Sequence, residues 1–301
     1  MVLFTSVRPL ERAENLKAVY DAYDGPKEFV QRENDKPIPS IHSGKFRLVV
    51  SDCTIEESPG KYIWINHGMG AGKKIGMQHP TYKFHRPDLV TYAIASSVHM
   101  VPVIASALGI SESQVVPLGM PRTDAYFRMK QEPSPYRRHL YVPTFRAGFW
   151  MPDFSVVHRM MPEDDRLTVK LHMITGDTFA SVWKQIDSAP SMVPSTPYLV
   201  NADTVITDYS SIMFDAMVLR KPVILFAKDR KAYMKKRGMY FCYPNDYSAN
   251  YCETEEELAK LMQTAKWDEE AEAKRQFFCG ACDGHSTERT IDLIKETLCE
   301  S

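Results

Sequence analysis

Two histidines stand where apolar runs end, the place from which an α/β sheet presents side chains to a ligand. His67 follows Tyr62-Ile63-Trp64-Ile65-Asn66 and opens Gly68-Met69-Gly70-Ala71-Gly72-Lys73-Lys74. A neutral imidazole at such a point can take a proton from a hydroxyl near neutral pH. The glycines let a backbone approach a ligand closely, and Lys73 and Lys74 add positive charge for phosphate. The segment is not a Walker A loop, because the spacing differs and no Ser or Thr follows the lysines. The plainer reading of His67 is a histidine hydrogen-bonded within a turn. His172 ends Leu167-Thr168-Val169-Lys170-Leu171 in the same manner.

A third run, Thr204-Val205-Ile206-Thr207, leads into Asp208-Tyr209-Ser210-Ser211, and a helical pattern follows. Ser210 or Ser211 reads as the N-cap of that helix. Free backbone N–H groups and the positive end of the helix dipole make such a start an anion site, with simple capping as the alternative. Arg122, after Gly119-Met120-Pro121, and Arg146, after Pro143-Thr144-Phe145, add planar forks that bind two phosphate oxygens together. Residues 228–237, KDRKAYMKKR, carry six basic groups against one acid. They read as a helix that touches anionic lipid or a polyanion, or as a solvated face. Gly238, after Arg237, is a further point where a backbone can close on a ligand.

The elements that must place these groups alternate along the chain. Buried strands are expected at 48–50, 62–65, 90–95, 115–118, 139–142, 167–171, 204–207 and 223–226. Helices are expected over 96–109, begun by Ser96 or Ser97 and stopped at Gly109, and at about 210–219, 255–265, 268–278 and 286–298. This grammar implies two Rossmann-like α/β units with mostly parallel sheets, and a ligand cleft facing their strand ends. Gln131-Glu132-Pro133-Ser134-Pro135 reads as the linker, giving domains 1–132 and 133–301, with the last helix free to pack back on the first. Ser188 to Pro197, with three prolines, reads as a surface loop.

At 301 residues the chain has room for two such units. Charged residues at 25% and hydrophobic residues at 44% exclude a collagen, a coiled coil, a disordered tail and a disulfide miniprotein. The net charge of −1 calls for no nucleic acid. Six sparse cysteines read as reduced thiols. Cys279 and Cys282, with His285 near, lack the further ligands of a zinc site. No acidic pair has magnesium-site spacing, so no metal is expected. The N-terminal apolar run is too short for a signal peptide, and no stretch approaches the ~18–20 apolar residues of a membrane span. A cytoplasmic protein, at most peripheral at the inner face of the membrane, is expected.

The order of segments resembles the CDP-glycerol glycerophosphotransferase family, the teichoic acid primases and polymerases. The matching blocks are His67-Gly68 with the lysines and Gly76, Gly119 to Asp124, Pro143 to Arg146, Lys170-Leu171-His172, and Val205 to Asp215. Lys221-Pro222 with Asp229, Arg237-Gly238 and Asp283-Gly284 also follow the family pattern. The resemblance covers about residues 60–298. It implies a GT-B fold and a CDP-activated donor, CDP-glycerol or CDP-ribitol, held mainly by the second unit.

By the same resemblance, His67 is the base that deprotonates an acceptor hydroxyl, and His172, Ser210 and Ser211 meet the donor pyrophosphate. Asp208, Thr207, Arg122, Arg146, Arg237 and Gly238 belong to the donor and phosphate side, and Gly68, Lys73 and Lys74 to the acceptor-side loop. The implied reaction transfers an alditol phosphate to a glycan, lipid-linked or polyol-phosphate acceptor of teichoic or capsule type and releases CMP. The chain departs from the family where Gly72 takes the usual place of a lysine and where Met173 replaces a proline. Its length suggests a minimal transferase, without the long polymerases' extra N-terminal domain. Two other functions fit the same strand-end groups: a glycosyltransferase using a nucleotide sugar, and a nucleotide-binding module without catalysis.

Overall fold

The computed structural model describes residues 1–33, 38, 41, 43–53, 58, 60–69, 72–79, 86–145 and 151–300. The chain divides into two compact units, Met1–Phe127 with Gln276–Ser301, and Arg128–Arg275. The proline-bearing segment 131–135 lies just inside the second unit.

The first unit is built on β1 (Val2–Ser6), β2 (Lys27–Gln31), β3 (Leu48–Ser51), β4 (Lys61–Trp64), β5 (Tyr92–Ile94) and β6 (Val115–Val116). Their order across the sheet is β2-β1-β3-β4-β5-β6, and every pairing is parallel. Helices α1 (Glu14–Ala22) and α2 (Val101–Leu108) accompany the sheet. Val2, Leu3, Phe4, Leu48, Val49 and Val50 are fully buried, as expected of strands covered on both faces. Each such side chain contributes roughly 1.5–3 kcal/mol by leaving water.

The second unit holds β7 (Arg137–Tyr141), β8 (Asp165–Lys170), β9 (Ile186–Ala189), β10 (Thr204–Thr207), β11 (Val223–Phe226) and β12 (Tyr251–Cys252). Their order is β12-β11-β10-β7-β8-β9, again parallel throughout. Counted within the unit, this is the doubly wound order 3-2-1-4-5-6 read from its far edge. Helices α3 (Phe154–Met160), α4 (Thr196–Asn201), α5 (Ile212–Val218), α6 (Arg230–Lys236) and α7 (Glu255–Thr264) follow its strands. Helix α8 (Glu269–Cys279) carries the chain across the division, and α9 (Ser286–Cys299) belongs to the first unit.

Ser97 holds the N-cap position of the helical stretch that ends at Gly109, as the sequence suggests, but neither Ser96 nor Ser97 caps it through its side chain. Both are buried, and their hydroxyls donate to the carbonyls of Phe278 and Phe277, so they anchor the returning chain. A 3-10 turn at Val98–Met100 precedes α2. The stretch 188–197 is only partly a loop, because it begins inside β9 and ends in α4. Ile186 and Ala189 are buried at the two ends of the strand, and the exposed polar residues between them hide it in the sequence.

Candidate active site

In each sheet the strand order reverses once, between β1 and β3 in the first unit and between β7 and β10 in the second. At such a point adjacent loops leave the sheet in opposite directions and open a crevice beyond the strand ends. The predicted residues that fall on described positions lie on or near loops at these ends, in two groups.

The first group surrounds His67. Asn66 ends the β4 segment, and its side-chain oxygen accepts from the Gly68 N–H at 3.1 Å, a local turn with His67 at its apex. Asn15, in the first turn of α1 and fully buried, holds that turn from below. Its amide nitrogen donates to the carbonyls of Asn66 at 2.7 Å and Gly68 at 3.3 Å, on both sides of His67. Its oxygen accepts from the Arg122 N–H at 3.0 Å. Arg122 in turn donates through its guanidinium to the His67 carbonyl at 3.1 Å and lies 3.7 Å from Glu14. Asn15 therefore fixes both the imidazole-bearing turn and the arginine beside it. The sequence offered one usable signal for Asn15, a polar residue at a position whose helical neighbours, Leu16 and Val19, face the core.

The imidazole of His67 donates to the main-chain carbonyl of Asp52, at the end of β3. Its other nitrogen keeps a lone pair. Solvent reaches this residue, yet protein atoms crowd it closely. That desolvation, joined by the charges of Arg8, Arg122 and Lys73, lowers its pKa from 6.5 to about 3. The ring is thus neutral at physiological pH. Lys73 is half-buried, and Lys74 follows it. Gly70 and Ala71 of the same loop lie outside the described residues. Gly76 beyond it adopts φ +55°, and a Cβ there would stand 2.0 Å from the Ala107 carbonyl.

The block Gly119 to Asp124 divides its labour. Arg122 faces His67, whereas Asp124 accepts from the Ser286 and Thr287 N–H groups at 3.0 and 2.6 Å. That carboxylate caps the start of α9 and fastens the last helix to the first unit.

The second group lies at the β7/β10 crevice. Asp208 is buried, and one carboxylate oxygen accepts from the N–H groups of Thr144 at 2.8 Å and Tyr209 at 2.6 Å. Thr207 donates its hydroxyl to the Val142 carbonyl at 2.6 Å. These two side chains knit the loops after β7 and β10 together, so they act by shaping the crevice. Ser211 occupies the N-cap position of α5 but has helical backbone angles and makes no capping bond through its side chain. The Ser210 hydroxyl accepts weakly from the Ile212 N–H, at 3.4 Å. Capping is therefore left to Ser210, and the Ser211 hydroxyl takes no part in it.

His172 is exposed beyond β8, and its Nδ1 accepts from the Ile174 N–H at 3.2 Å. In the neutral ring this leaves the proton on Nε2. Its ring lies 5.7 Å from that of Phe145. Arg146, the next residue, lies outside the described residues. Tyr209 stacks on Tyr233 of α6 at 3.6 Å and donates to Asp229 at 2.9 Å, which binds the start of α6 to the serine loop. Arg237 ends α6 half-buried, and burial lowers its pKa. Gly238 has φ +72°, a conformation suited to glycine.

Among the described residues no three His, Cys, Asp or Glu side chains gather as a metal-binding group. Cys279 and Cys282 are buried and form no disulfide. No helix among the described residues is long and apolar enough to cross a membrane.

Two parallel α/β units with strand-end crevices define the GT-B class of fold. The wall teichoic acid polymerase TagF, in a structure with CDPG, superposes with a TM-score of 0.77 at 19% identity, over 100% of this chain and 89% of that one. A Staphylococcus aureus MnaA–UDP structure gives a TM-score of 0.63 at 14% identity, over 99% and 96%. The family model for CDP-Glycerol:Poly(glycerophosphate) glycerophosphotransferase matches residues 47–296, and the chain belongs to that family. A teichoic acid poly(ribitol-phosphate) polymerase of Bacillus spizizenii is 26% identical over 77% of this chain and 42% of its own length. A teichoic acid glycerol-phosphate primase of Bacillus subtilis is 26% identical over 79% of this chain and 68% of its own.

Proposed function

We propose that this protein transfers an alditol phosphate, glycerol phosphate or ribitol phosphate, from a CDP-activated donor to a hydroxyl of a glycan, lipid-linked or polyol-phosphate acceptor. The observation that carries this reading is the held, neutral imidazole of His67 within a chain of this family. His67 takes the proton of the acceptor hydroxyl through its free ring nitrogen. The alkoxide oxygen attacks the β-phosphorus of the donor, the bond from that phosphorus to the bridging oxygen breaks, and CMP leaves. Charge grows on the phosphoryl oxygens, and fixed donors aimed at them lower the barrier.

The second unit supplies those donors in this reading. They are the Nε2–H of His172 and the hydroxyls of Ser210 and Ser211, joined by Arg237 and the backbone at Gly238. Asp208 and Thr207 hold the crevice in shape. The cationic side chains carry the charge stabilisation, so no resident metal enters the scheme. Lys231, Lys235 and Lys236 are exposed on α6 and support a peripheral contact with anionic lipid, where a lipid-linked acceptor would be found.

The test is His67→Ala assayed for CMP release with CDP-glycerol and CDP-ribitol across an acceptor panel. Transfer should fall by about 10²–10⁴-fold, the usual worth of a positioned base, with donor affinity retained. CMP release at the wild-type rate would remove His67 from the chemistry. Phosphorus NMR of the product separates this transfer, which makes a phosphodiester, from glycosyl transfer, which does not.

A further inference from the structure

His172 stands on a loop that its own bonds shape but do not aim. Its main-chain carbonyl accepts from the N–H groups of Thr175 at 2.8 Å and Gly176 at 3.2 Å, and its Nδ1 accepts from that of Ile174. Gly176 closes the turn at φ +70°, in the left-handed region. His172, Met173 and Ile174 are all exposed. The strands beneath end together. Lys170 of β8 and Ala189 of β9 are their last paired residues, and β9 is an edge of the sheet. Beyond that pair the two segments part, and the ladder no longer fixes where the imidazole points.

Two side chains rejoin them. Lys170 is buried, and its ammonium donates to the carbonyls of Pro190 at 3.2 Å and Ser191 at 3.3 Å, just after β9. Asp177, at the far end of the loop, accepts from the Ser191 N–H at 2.6 Å. The same short segment is thus gripped from before and from after His172. Both grips involve a charged group, and such hydrogen bonds are the stronger kind. A buried ammonium is costly unless it makes such bonds, whereas an apolar side chain at the strand end would pack at no such cost. Between the two segments lies a cavity of about 170 Å³, bordered by Leu171, Gly176, Asp177, Ser188 and Pro190. Packing beneath the loop is therefore incomplete, and the two grips carry its placement.

We propose that Lys170 and Asp177 are positioning residues that hold His172 toward the donor phosphates by fastening both ends of its loop to the segment after β9. The inference rests on the reading of His172 as a donor-binding group and adds two residues that act through it. The neutral imidazole offers one N–H, and a hydrogen bond weakens steeply as its angle closes. A loop released at either end spreads the ring over many orientations, so donor affinity falls although His172 itself is intact.

CDP-glycerol is titrated calorimetrically into wild-type protein, Lys170→Met, Asp177→Ala, Asp177→Asn and His172→Ala, and into the doubles that join His172→Ala to Lys170→Met or Asp177→Ala. Lys170→Met keeps the apolar stem, and Asp177→Asn keeps an acceptor for the Ser191 N–H. Lys170→Met and Asp177→Ala should each weaken binding about fivefold or more, with most affinity restored in Asp177→Asn. On the His172→Ala background each should cost less than about twofold. Equal losses on both backgrounds would show that the two side chains support the unit at large, which overturns the proposal and leaves His172 in the donor site. Wild-type affinity in Asp177→Ala overturns it as well; Asp177 is exposed, so this arm decides should Lys170→Met not fold. Wild-type affinity in His172→Ala would refute the donor reading of His172 and the proposal with it. Donor binding without transfer by the wild-type protein would refute the function above, while the cycle would still decide the positioning role.

Discussion

Replacing Asn15 by alanine removes one side chain that serves three backbone groups. The carbonyls of Asn66 and Gly68 and the N–H of Arg122 lose their partners at 2.7, 3.3 and 3.0 Å. The site is fully buried, so water does not replace them without rearrangement. At about 1 kcal/mol for each stranded group, the loss is about 3 kcal/mol. With a urea slope of about 2–3 kcal/mol per molar, the midpoint of the first unit's unfolding should drop by about 1 M. Activity should fall further than stability alone requires, since a base displaced by about 1 Å can cost about 10²-fold. The assay is CMP release at saturating donor, at a temperature where the variant is folded. Asn15→Asp is the sharper companion. It keeps the acceptor for Arg122 but turns a carboxylate oxygen toward two carbonyls, so it should be at least as damaging to kcat. A variant within about 0.5 kcal/mol of wild type, turning over within about twofold, would show that Asn15 does not position His67.

Further outcomes follow from other parts of the structure. The pKa of His67, lowered to about 3, keeps the imidazole neutral as pH falls below its ordinary 6.5, so transfer should show no acid limb in that range. The unfolded chain does take up a proton there, so this group makes stability fall on acidification from 6.5 toward 3. A histidine titration near 6.5 assigned to His67 by NMR would contradict both statements. Ser211→Ala with His172→Ala should weaken CDP-glycerol binding by about tenfold or more, and an unchanged calorimetric titration would remove both from the donor site. Gly119→Ala should destabilise the first unit by about 2–4 kcal/mol, because φ is left-handed and the new Cβ would lie 2.3 Å from both the Ala281 carbonyl and the Ser286 hydroxyl. Wild-type thermal stability in that variant would mean that α9 can shift without penalty.

Strands such as Val2–Ser6 and Lys27–Gln31 show where patterning fails. The first is buried throughout but ends in Thr5 and Ser6 and stands at the start of the sequence, and the second is half-buried with charges at its beginning. The strongest buried runs, 48–50, 204–207 and 223–226, were legible because parallel strands covered on both faces need unbroken apolar sequence. The serine pairs teach a related lesson. Ser96-Ser97 and Ser210-Ser211 look alike beside a helix, yet the former anchor a distant carbonyl each, and Ser211 leaves its capping role unused.

The sequence alone determined the alternation of strands and helices, the strand-end placement of His67 and His172, and the family blocks, since each rests on local periodicity or on short runs of residues. Tertiary structure alone decided that Asn15 clamps the turn carrying His67 across 51 residues, that Arg8 and Arg122 approach the same imidazole, and that Asp124 fastens α9 across 162. Those contacts depend on strand order and on which loops meet beyond a sheet's reversal, and neither is encoded in the spacing of neighbouring residues.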